Sequence, residues 1–291
     1  MKTYIIAAFI LIFNIVNLKS QSENANFRII ESKSPLSGTE LSLNNSITDL
    51  GAKKERDFRF STNLYLWGTS LSGVTALPVD NPHLSITQTP ELDISLSFSD
   101  AVKHLKMAFM LGGKFMYKNV GLLYDVGYVK LEFDGSVPVA STYISGSVIA
   151  KQLNADFALL YRFPMKNKNV QISGIAGARV FSMDNTINLV KPDSTTGTFS
   201  GTKTWADPIL GGDARVDFSK HWMLYLKGDV GGFGIVSKFT GSLLWTIGYK
   251  FSENWNTNIG FKYLYTDYEK DEFVWKMSQY GMLLSFGYNL R

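Results

Sequence analysis

The sequence predicts an all-β fold, a transmembrane antiparallel up-and-down β-barrel of about ten strands, within a range of eight to twelve. Three observations lead to this prediction. No run of about 18 apolar residues follows the first 20 residues, so a membrane-spanning helix is not expected. From Asp57 onward apolar and polar residues alternate, and the connections between the alternating segments are short and long in turn.

The alternation is clearest between Lys238 and Ser252. Successive side chains of a strand point to opposite faces, so an alternating segment lies between two different environments. The even positions carry mainly Thr, Ser and Lys. The odd positions are apolar apart from one glycine: Phe239, Gly241, Leu243, Trp245, Ile247, Tyr249 and Phe251. We therefore expect a strand with one face toward lipid and the other toward a barrel lumen.

Ten such segments are predicted to be strands, and several exceed the roughly 9–11 residues that a tilted strand needs to cross a bilayer. They span residues 57–70, 104–117, 119–134, 143–163, 168–182, 203–218, 221–232, 238–252, 254–268 and 273–290. An even number of strands returns the chain to the periplasmic side from which it started. Pro208 lies inside the sixth segment, and because proline cannot donate to a ladder we expect a bulge or a late strand start there.

The connections support the same topology, since outer-membrane barrels have short periplasmic turns and longer outside loops. Short turns are predicted at 118–119, 165–167, 219–220 and 253, and longer links at 71–103, 135–142, 183–202, 233–237 and 269–272. Within the first long link, residues 92–98 alternate like a strand. That segment is expected either to fold into the lumen or to add a further strand.

The chain is predicted to have three parts. Residues 1–20 resemble a secretory signal peptide, because Lys2 precedes an apolar run at 4–16 that is too short for a stable membrane span. Residues 21–56 are polar and rich in Ser and Asn, as expected for a flexible periplasmic leader. Residues 57–291 form the predicted barrel domain, located in the bacterial outer membrane.

Composition limits the possible partners and cofactors. The chain has no Cys, which excludes disulfides, thiolate metal sites and N-terminal lipidation. Without Lys2 and Lys19 the chain carries 27 basic and 25 acidic residues, a balance that argues against nucleic acid binding. No metal-ligand spacing, phosphate loop or nucleophile elbow is present, so neither a metal nor another cofactor is expected. The expected partners are outer-membrane lipid and the machinery that assembles such barrels, with the protein a monomer.

Charged residues occupy the polar faces of several predicted strands. These side chains must point inward, because a charge near the bilayer midplane costs roughly 2–4 kcal/mol for Arg or Lys. The predicted lumen network consists of Asp125, Arg179, Asp207, Asp213, Arg215, Asp217, Lys227, Asp229 and Lys262. We interpret it as a self-paired network that fills a narrow lumen, since buried charges are tolerated when paired. The alternative is that the same residues line a narrow pore or a small-ligand site.

Aromatic residues near strand ends are predicted to form two interfacial belts. The outer set is Trp67, Phe181, Trp205 and Trp245, and the periplasmic set is Tyr161, Phe218, Trp222, Phe251 and Trp255.

The run GDVGGFG at residues 228–234, with GYKFS at 248–252, FKY at 261–263 and WADP at 205–208, carries a resemblance to a known family. The chain resembles a widespread family of uncharacterised bacterial outer-membrane β-barrel proteins that contain this run. The residues that match the family motif are Gly228, Asp229, Gly231, Gly232, Phe233 and Gly234. The resemblance implies an outer-membrane location and a barrel architecture; it implies no activity, because the family has none established.

Three functions remain open from the sequence. The leading interpretation is a structural or narrow-pore barrel without catalytic activity, with a charged and mostly filled lumen. The second is a hydrolase or lipid-modifying enzyme at the outer rim, where His83 near Asp80 would act with Asp267 or Asp271. The third is a barrel that binds a small amphiphilic ligand, which requires a sizeable closed cavity.

Overall fold

Twelve strands and one short helix make up the computed structural model of the protein, which describes residues 57–76, 91–139, 142–190, 196–271 and 273–290. The elements are β1 (Phe58–Trp67), β2 (Ser70–Ala76), β3 (Leu92–Leu96), α1 (Phe98–His104), β4 (Leu105–Tyr117), β5 (Val120–Val139), β6 (Thr142–Phe163), β7 (Val170–Val190), β8 (Thr196–Asp217), β9 (Trp222–Gly231), β10 (Phe239–Lys250), β11 (Trp255–Lys270) and β12 (Phe273–Leu290). The predicted signal peptide (1–20) and leader (21–56) lie outside the described residues.

Ten of these strands close into an antiparallel barrel, in the order β1-β4-β5-β6-β7-β8-β9-β10-β11-β12. Closure comes from β1, which pairs with β12 on one side and with β4 on the other. Each of the ten segments predicted from the alternation corresponds to one wall strand. The predicted fold, an up-and-down barrel of ten strands, is therefore confirmed. None of the described residues forms a helix long and apolar enough to span a membrane.

The long link at 71–103 contributes β2, β3 and α1. Strands β1 and β2 pair with successive parts of β12. Strand β1 pairs with residues 283–290 of β12, and β2 pairs with residues 274–280. The β3 strand pairs with β2 alone. The segment at 92–98 is thus an added strand at the outer end, and the closed wall still has ten strands.

Helix α1 lies beside the part of the wall where β5 extends beyond its pairing with β4. The β4–β5 ladder ends at Leu105 paired with Leu131, whereas β5 continues to Val139. The α1 helix contacts both β5 and β2 across this gap. The Phe98 backbone N–H donates to Ser70 Oγ at 3.0 Å, which fixes the start of α1 to β2.

Pro208 causes neither a bulge nor a late start, so that expectation is wrong. The β8 strand runs through Pro208 in regular register with β7. The β8–β9 ladder ends at Ile209 paired with Gly231, and the Pro208 carbonyl accepts a hydrogen bond from Gly232 at 3.0 Å. The N–H and C=O of one strand residue point to the same neighbouring strand, which for Pro208 is β9. The β8–β9 ladder has already ended there, so the N–H that proline lacks interrupts no ladder hydrogen bond.

The outside of the barrel carries a continuous apolar surface, which we call the apolar belt. Its members are exposed aliphatic and aromatic side chains on alternate strand positions: Leu64, Leu66, Phe109, Leu122, Phe157, Leu159, Leu210, Leu226, Leu243, Ile259, Met282 and Leu284. Soluble monomers rarely expose an apolar patch larger than a few hundred Å². This surface instead matches the lipid-facing band of a membrane barrel.

We call the end of the barrel that carries β2, β3 and α1 the upper end. Charged side chains lie at the upper limit of the apolar belt, and we call them the outer charged ring: Lys130, Lys151, Asp184, Asp267 and Lys276. Lys151 Nζ lies 2.9 Å from Asp184 Oδ2 on the adjacent strand. Above the ring, the hydrogen bond donated by the Lys238 ammonium lowers the pKa of the Glu269 carboxyl. Strands β5 to β8 continue past the ring, so they project beyond the apolar belt.

Aromatic side chains mark the lower limit of the belt. The five residues of the predicted periplasmic set are all exposed there: Tyr161, Phe218, Trp222, Phe251 and Trp255. Of the predicted outer set only Trp245 faces outward, and it lies at the middle of the belt between Leu226 and Phe261.

Candidate functional site

Arg179 on β7 lies at the centre of the lumen and is only 2% exposed. The register places it directly opposite Asp156 on β6. Its Nε lies 2.8 Å from Asp156 Oδ1, and its Nη2 lies 2.8 Å from Asp229 Oδ1 on β9. The guanidinium also donates to Thr240 Oγ1 at 3.2 Å and to Ser242 Oγ at 3.1 Å. The guanidinium of one arginine therefore links four strands, β6, β7, β9 and β10.

Lys227 on β9 completes this cluster. Its Nζ lies 3.0 Å from Asp156 Oδ2 and 3.5 Å from Asp229 Oδ2. Two cations thus face two carboxylates, and all four side chains are buried. Pairing of this kind is what allows charges to be removed from water, because an unpaired buried charge is strongly destabilising.

A second bridge crosses the lumen from β11 to β5. Lys262 Nζ lies 2.8 Å from Asp125 Oδ2 and donates to the Tyr65 hydroxyl at 3.1 Å. The Tyr65 hydroxyl in turn donates to Asp125 Oδ1. Since β5 and β11 are separated by three intervening strands along the shorter way around the wall, this contact closes the middle of the barrel. We call the six charged side chains of these clusters the plug: Asp125, Asp156, Arg179, Lys227, Asp229 and Lys262.

Three further ion pairs lie in the lumen outside the plug. Lys114 Nζ on β4 lies 2.7 Å from Asp213 Oδ2 on β8. Toward the lower end, Asp217 Oδ1 lies 3.1 Å from Arg215 Nε and 2.8 Å from Lys250 Nζ. These pairs fill the lumen at other positions.

Asp207 does not join the plug. It is fully buried, and its Oδ1 accepts the Ser237 backbone N–H at 2.8 Å while its Oδ2 accepts the Ser237 hydroxyl at 2.6 Å. The Trp205 indole N–H donates to the same Oδ2 at 3.2 Å. Asp207 therefore holds the β9–β10 turn against the inside of β8.

The structure thus places all nine residues of the predicted lumen network on inward positions, divided among the plug, the three further ion pairs and the β9–β10 turn. Four further members of these networks were not predicted from the sequence: Asp156, Lys114, Tyr65 and Lys250. The signal for Asp156 was present, because it alternates with the outward residues Phe157 and Leu159. The partners themselves could not be read from the sequence, since they depend on which strands face each other.

The GDVGGFG run has two structural roles. Asp229 belongs to the plug, and the glycines after it build the β9–β10 turn. Gly232, Phe233 and Gly234 have φ angles of 79°, 50° and 71°, a left-handed region that glycine adopts without steric cost.

Two glycines of the run give a matched pair of variants. A Cβ on Gly231 would lie 2.2 Å from the Pro208 carbonyl oxygen, whereas a Cβ on Gly228 meets nothing closer than 3.9 Å. We expect Gly231→Ala to lower the free energy of unfolding by about 1–3 kcal/mol, because the backbone must shift. Gly228→Ala is expected to stay within about 0.5 kcal/mol. Urea unfolding of the barrel in vesicles measures both, and equal stabilities would contradict the close approach at Gly231.

An apolar cluster fills part of the lumen above the plug. It consists of Phe181, Met183, Trp205, Leu264, Tyr268, Phe273, Trp275 and Met277, with Trp67, Leu71 and Ile94 packed against it. The Trp205 ring stacks on Phe181 and Tyr268, with centroids 4.9 and 4.2 Å apart. The prediction that Trp67, Phe181 and Trp205 form an outer interfacial belt is therefore wrong. Phe181 and Trp205 share the inward parity of Arg179 and Asp207, so the alternation directs them into the barrel.

A cavity of about 220 Å³ lies between this cluster, α1 and the plug. Its wall is mainly apolar and includes Leu71, Ile94, Phe98, Val102, Leu105, Ala108, Met110, Val129, Leu131, Val148, Ala150 and Trp275. Its floor is formed by charged plug residues: Asp125, Asp156, Arg179 and Lys262.

The described histidines contact backbone rather than carboxylates. His104 Nδ1 lies 3.1 Å from the Glu132 carbonyl oxygen, and His221 Nδ1 lies 3.0 Å from the Lys250 carbonyl oxygen. The predicted pair His83 and Asp80 lies outside the described residues. Within the described ranges, no three His, Cys, Asp or Glu side chains are grouped so that they could hold a metal ion.

No protein-family model matches the chain, and no curated protein matches it. Among solved structures, the outer membrane protease OmpT from Escherichia coli is 9% identical with a TM-score of 0.45, over 81% of this chain and 97% of that chain. Ail, the attachment invasion locus protein of Yersinia pestis, is 11% identical with a TM-score of 0.33, over 81% of this chain and 99% of that chain. The toluene transporter TodX from P. putida is 10% identical with a TM-score of 0.30, over 80% and 89%. None of these similarities extends the named activity to this chain, and the resemblance to the GDVGGFG family stays a prediction.

Proposed function

We propose that this protein is an outer-membrane β-barrel that crosses the bilayer with its ten wall strands and has a structural, non-conducting role. The observation that carries the proposal is the separation of its surfaces. Uncharged, apolar side chains face outward between the outer charged ring and the lower aromatic edge, while the plug charges face inward and pair with one another. This is the arrangement that a lipid surround requires.

The height of the apolar belt fits a bilayer. On β11 the outward residues from Trp255 to Tyr265 are uncharged, and Asp267 follows in the outer charged ring. Ten residue steps at about 3.3 Å span roughly 33 Å along the strand. At the tilt typical of membrane barrels this corresponds to a band about 25 Å tall, the height of the apolar band in outer-membrane proteins.

The plug supports the non-conducting role. One bridge crosses the lumen from β11 to β5, the Arg179 contacts join β6, β7, β9 and β10, and the apolar cluster lies above them. Opening a water-filled path would require these charge-assisted hydrogen bonds to break. Barrels of about this strand number are filled by their own side chains, and wide aqueous channels need more strands.

The proposed partners follow from the surface. Membrane lipid would cover the apolar belt, and the outer-membrane assembly machinery would insert the barrel. A monomer suffices for this role, because every edge of the ten-stranded wall is paired within one chain.

Single-channel recording on the purified protein in planar bilayers tests the sealed lumen. The wild type is expected to give no conductance steps. A charge-balanced variant, Asp125→Ala, Arg179→Ala, Asp229→Ala and Lys262→Ala together, is expected to give measurable steps because it removes the bridge across the lumen and the Arg179 contacts beside it. Regular steps from the wild type would contradict the proposal, and a silent variant would show that the plug is not the barrier.

A further inference from the structure

We propose that the cavity above the plug is a binding site for a small, mainly apolar, uncharged molecule that carries an oxygen acceptor. This site goes beyond the proposed function of a sealed barrel. It rests on the fold, the lining of the cavity and the hydrogen bonds of the residues around it.

The size of the cavity sets the size of the ligand. Apolar cavities of about 150 Å³ in protein interiors admit benzene. The cavity here, at about 220 Å³, is larger. It therefore accommodates a single aromatic ring with a short substituent, or a short branched alkyl chain.

The wall of the cavity favours an apolar body. Side chains from α1, from the β2–β3 pair and from the inner faces of β4 to β6 converge on it, and most of them are aliphatic or aromatic. Burial of an apolar ligand there is favourable because it removes apolar surface from water. Lys151, whose Nζ pairs with Asp184 at 2.9 Å, is the one described charged residue that the lining adds to those of the floor.

Several polar groups around the cavity have N–H donors without an acceptor among the described residues. Trp67 and Trp275 both line it, and within the described part of the chain neither indole N–H has an acceptor. Gln279 accepts from Asn154 at 3.5 Å, but its own amide N–H groups donate to no described residue. The Lys262 ammonium has three donors, of which two are used by Asp125 and Tyr65. A ligand that meets these groups is expected to present an acceptor.

Each carboxylate oxygen on the floor already accepts a hydrogen bond from a charged or hydroxyl donor. Asp125 accepts from Tyr65 on one oxygen and from Lys262 on the other. Asp156 accepts from Arg179 on both oxygens and from Lys227 on one. Both carboxylates are thus already satisfied by charged or hydroxyl donors, whereas the indole N–H groups of Trp67 and Trp275 have no acceptor in the described residues. A ligand acceptor therefore gains more here than a ligand donor.

The charge balance of the plug selects an uncharged ligand. Its three cations, Arg179, Lys227 and Lys262, match its three carboxylates. A carboxylate or ammonium on the ligand would add an unbalanced charge to a mainly apolar site, at a considerable cost. The favoured polar group is therefore a ketone, ether or similar neutral oxygen.

Tryptophan quenching by brominated probes tests this site. Three of the six tryptophans face outward, so the variant Trp222→Phe, Trp245→Phe, Trp255→Phe retains only Trp67, Trp205 and Trp275 inside the barrel. This protein in lipid nanodiscs is titrated separately with 4-bromoacetophenone, bromobenzene and 4-bromobenzoate. We expect saturable quenching by 4-bromoacetophenone, with an apparent affinity about tenfold tighter than for bromobenzene and tighter still than for 4-bromobenzoate.

A matched pair of variants separates the cavity from the lipid. Ala108→Phe fills the cavity, whereas Ala176→Phe places the same ring on the exposed outer face of β7. We expect Ala108→Phe to weaken 4-bromoacetophenone binding at least tenfold and Ala176→Phe to leave it unchanged. Ala150→Phe, on the β6 wall of the same cavity, replaces Ala108→Phe if that variant does not fold.

Each other outcome overturns a defined part of the inference. Equal quenching in the Ala108→Phe and Ala176→Phe variants, or non-saturable quenching throughout, removes the site. Equal affinity for bromobenzene removes the role of the donors, and tighter binding of 4-bromobenzoate removes the preference for an uncharged ligand. Conductance steps from the wild type would overturn the sealed barrel and leave this binding result as it stands, so the two proposals fail separately.

Discussion

Replacement of Arg179 by alanine is expected to lower the free energy of unfolding by about 3–5 kcal/mol, the largest effect of any single change in the barrel. Among the residues that the structure describes, the cations in contact with Asp229 are Arg179 and Lys227, whose nitrogen lies 3.5 Å away. Its loss leaves two buried carboxylates facing one ammonium. The measurement is urea unfolding of the barrel in lipid vesicles, followed by tryptophan fluorescence.

Two control variants identify the cause. In the double variant Arg179→Ala, Asp229→Asn, one cation and one carboxylate remain as the pair Lys227 and Asp156, so part of the lost stability is expected to return. Arg215→Ala should cost clearly less than Arg179→Ala, because Asp217 keeps Lys250 at 2.8 Å and Arg215 is partly exposed. A double variant less stable than Arg179→Ala alone would contradict the view that charge imbalance is the origin of the loss.

An arginine on the outer surface is expected to be the second-largest perturbation. Leu243 is 46% exposed on the outward face of β10, near the middle of the apolar belt. Leu243→Arg would place a guanidinium in lipid, and we expect it to lower the free energy of unfolding by about 2–4 kcal/mol in vesicles.

Thr202 supplies the matched control, because it is also exposed and outward but lies opposite Asp184 in the outer charged ring. Thr202→Arg is expected to change the unfolding free energy by less than about 1 kcal/mol, since its side chain reaches the interface. Similar effects from the two arginines would mean that the belt does not lie in the hydrocarbon region.

The alternation in the sequence was enough to predict the wall of the barrel. Each wall strand has lipid on one face and the lumen on the other, so the period of two persists along its length and identifies the strand. The same parity assigned Arg179, Asp229 and Lys262 to the inside. This assignment of side chains to the inside or the outside requires only the residues that neighbour each other along one strand.

The parts that could not be predicted depend on distant contacts. The break at Gly68–Thr69, after which β2 replaces β1 along β12, has no periodic signal. The aromatic cluster was misplaced because Trp205 and Phe181 were assigned by residue type rather than by parity, although aromatic residues suit both an interface and a core. The cavity was beyond the sequence, because it is bounded by α1 and by the inner faces of strands that are far apart in the chain.

The chain contains no Cys, so single cysteines can be introduced at each position of β10 and spin-labelled without background. Scanning residues 239–250 in vesicles, and comparing accessibility to oxygen with accessibility to a water-soluble nickel complex, tests directly whether the barrel crosses a bilayer with a sealed lumen. We expect a period of two: odd positions such as 243, 245 and 247 accessible to oxygen and not to nickel, and even positions such as 240, 242 and 246 accessible to neither. Nickel accessibility at the odd positions, or the loss of the alternation, would contradict a sealed barrel that crosses a bilayer.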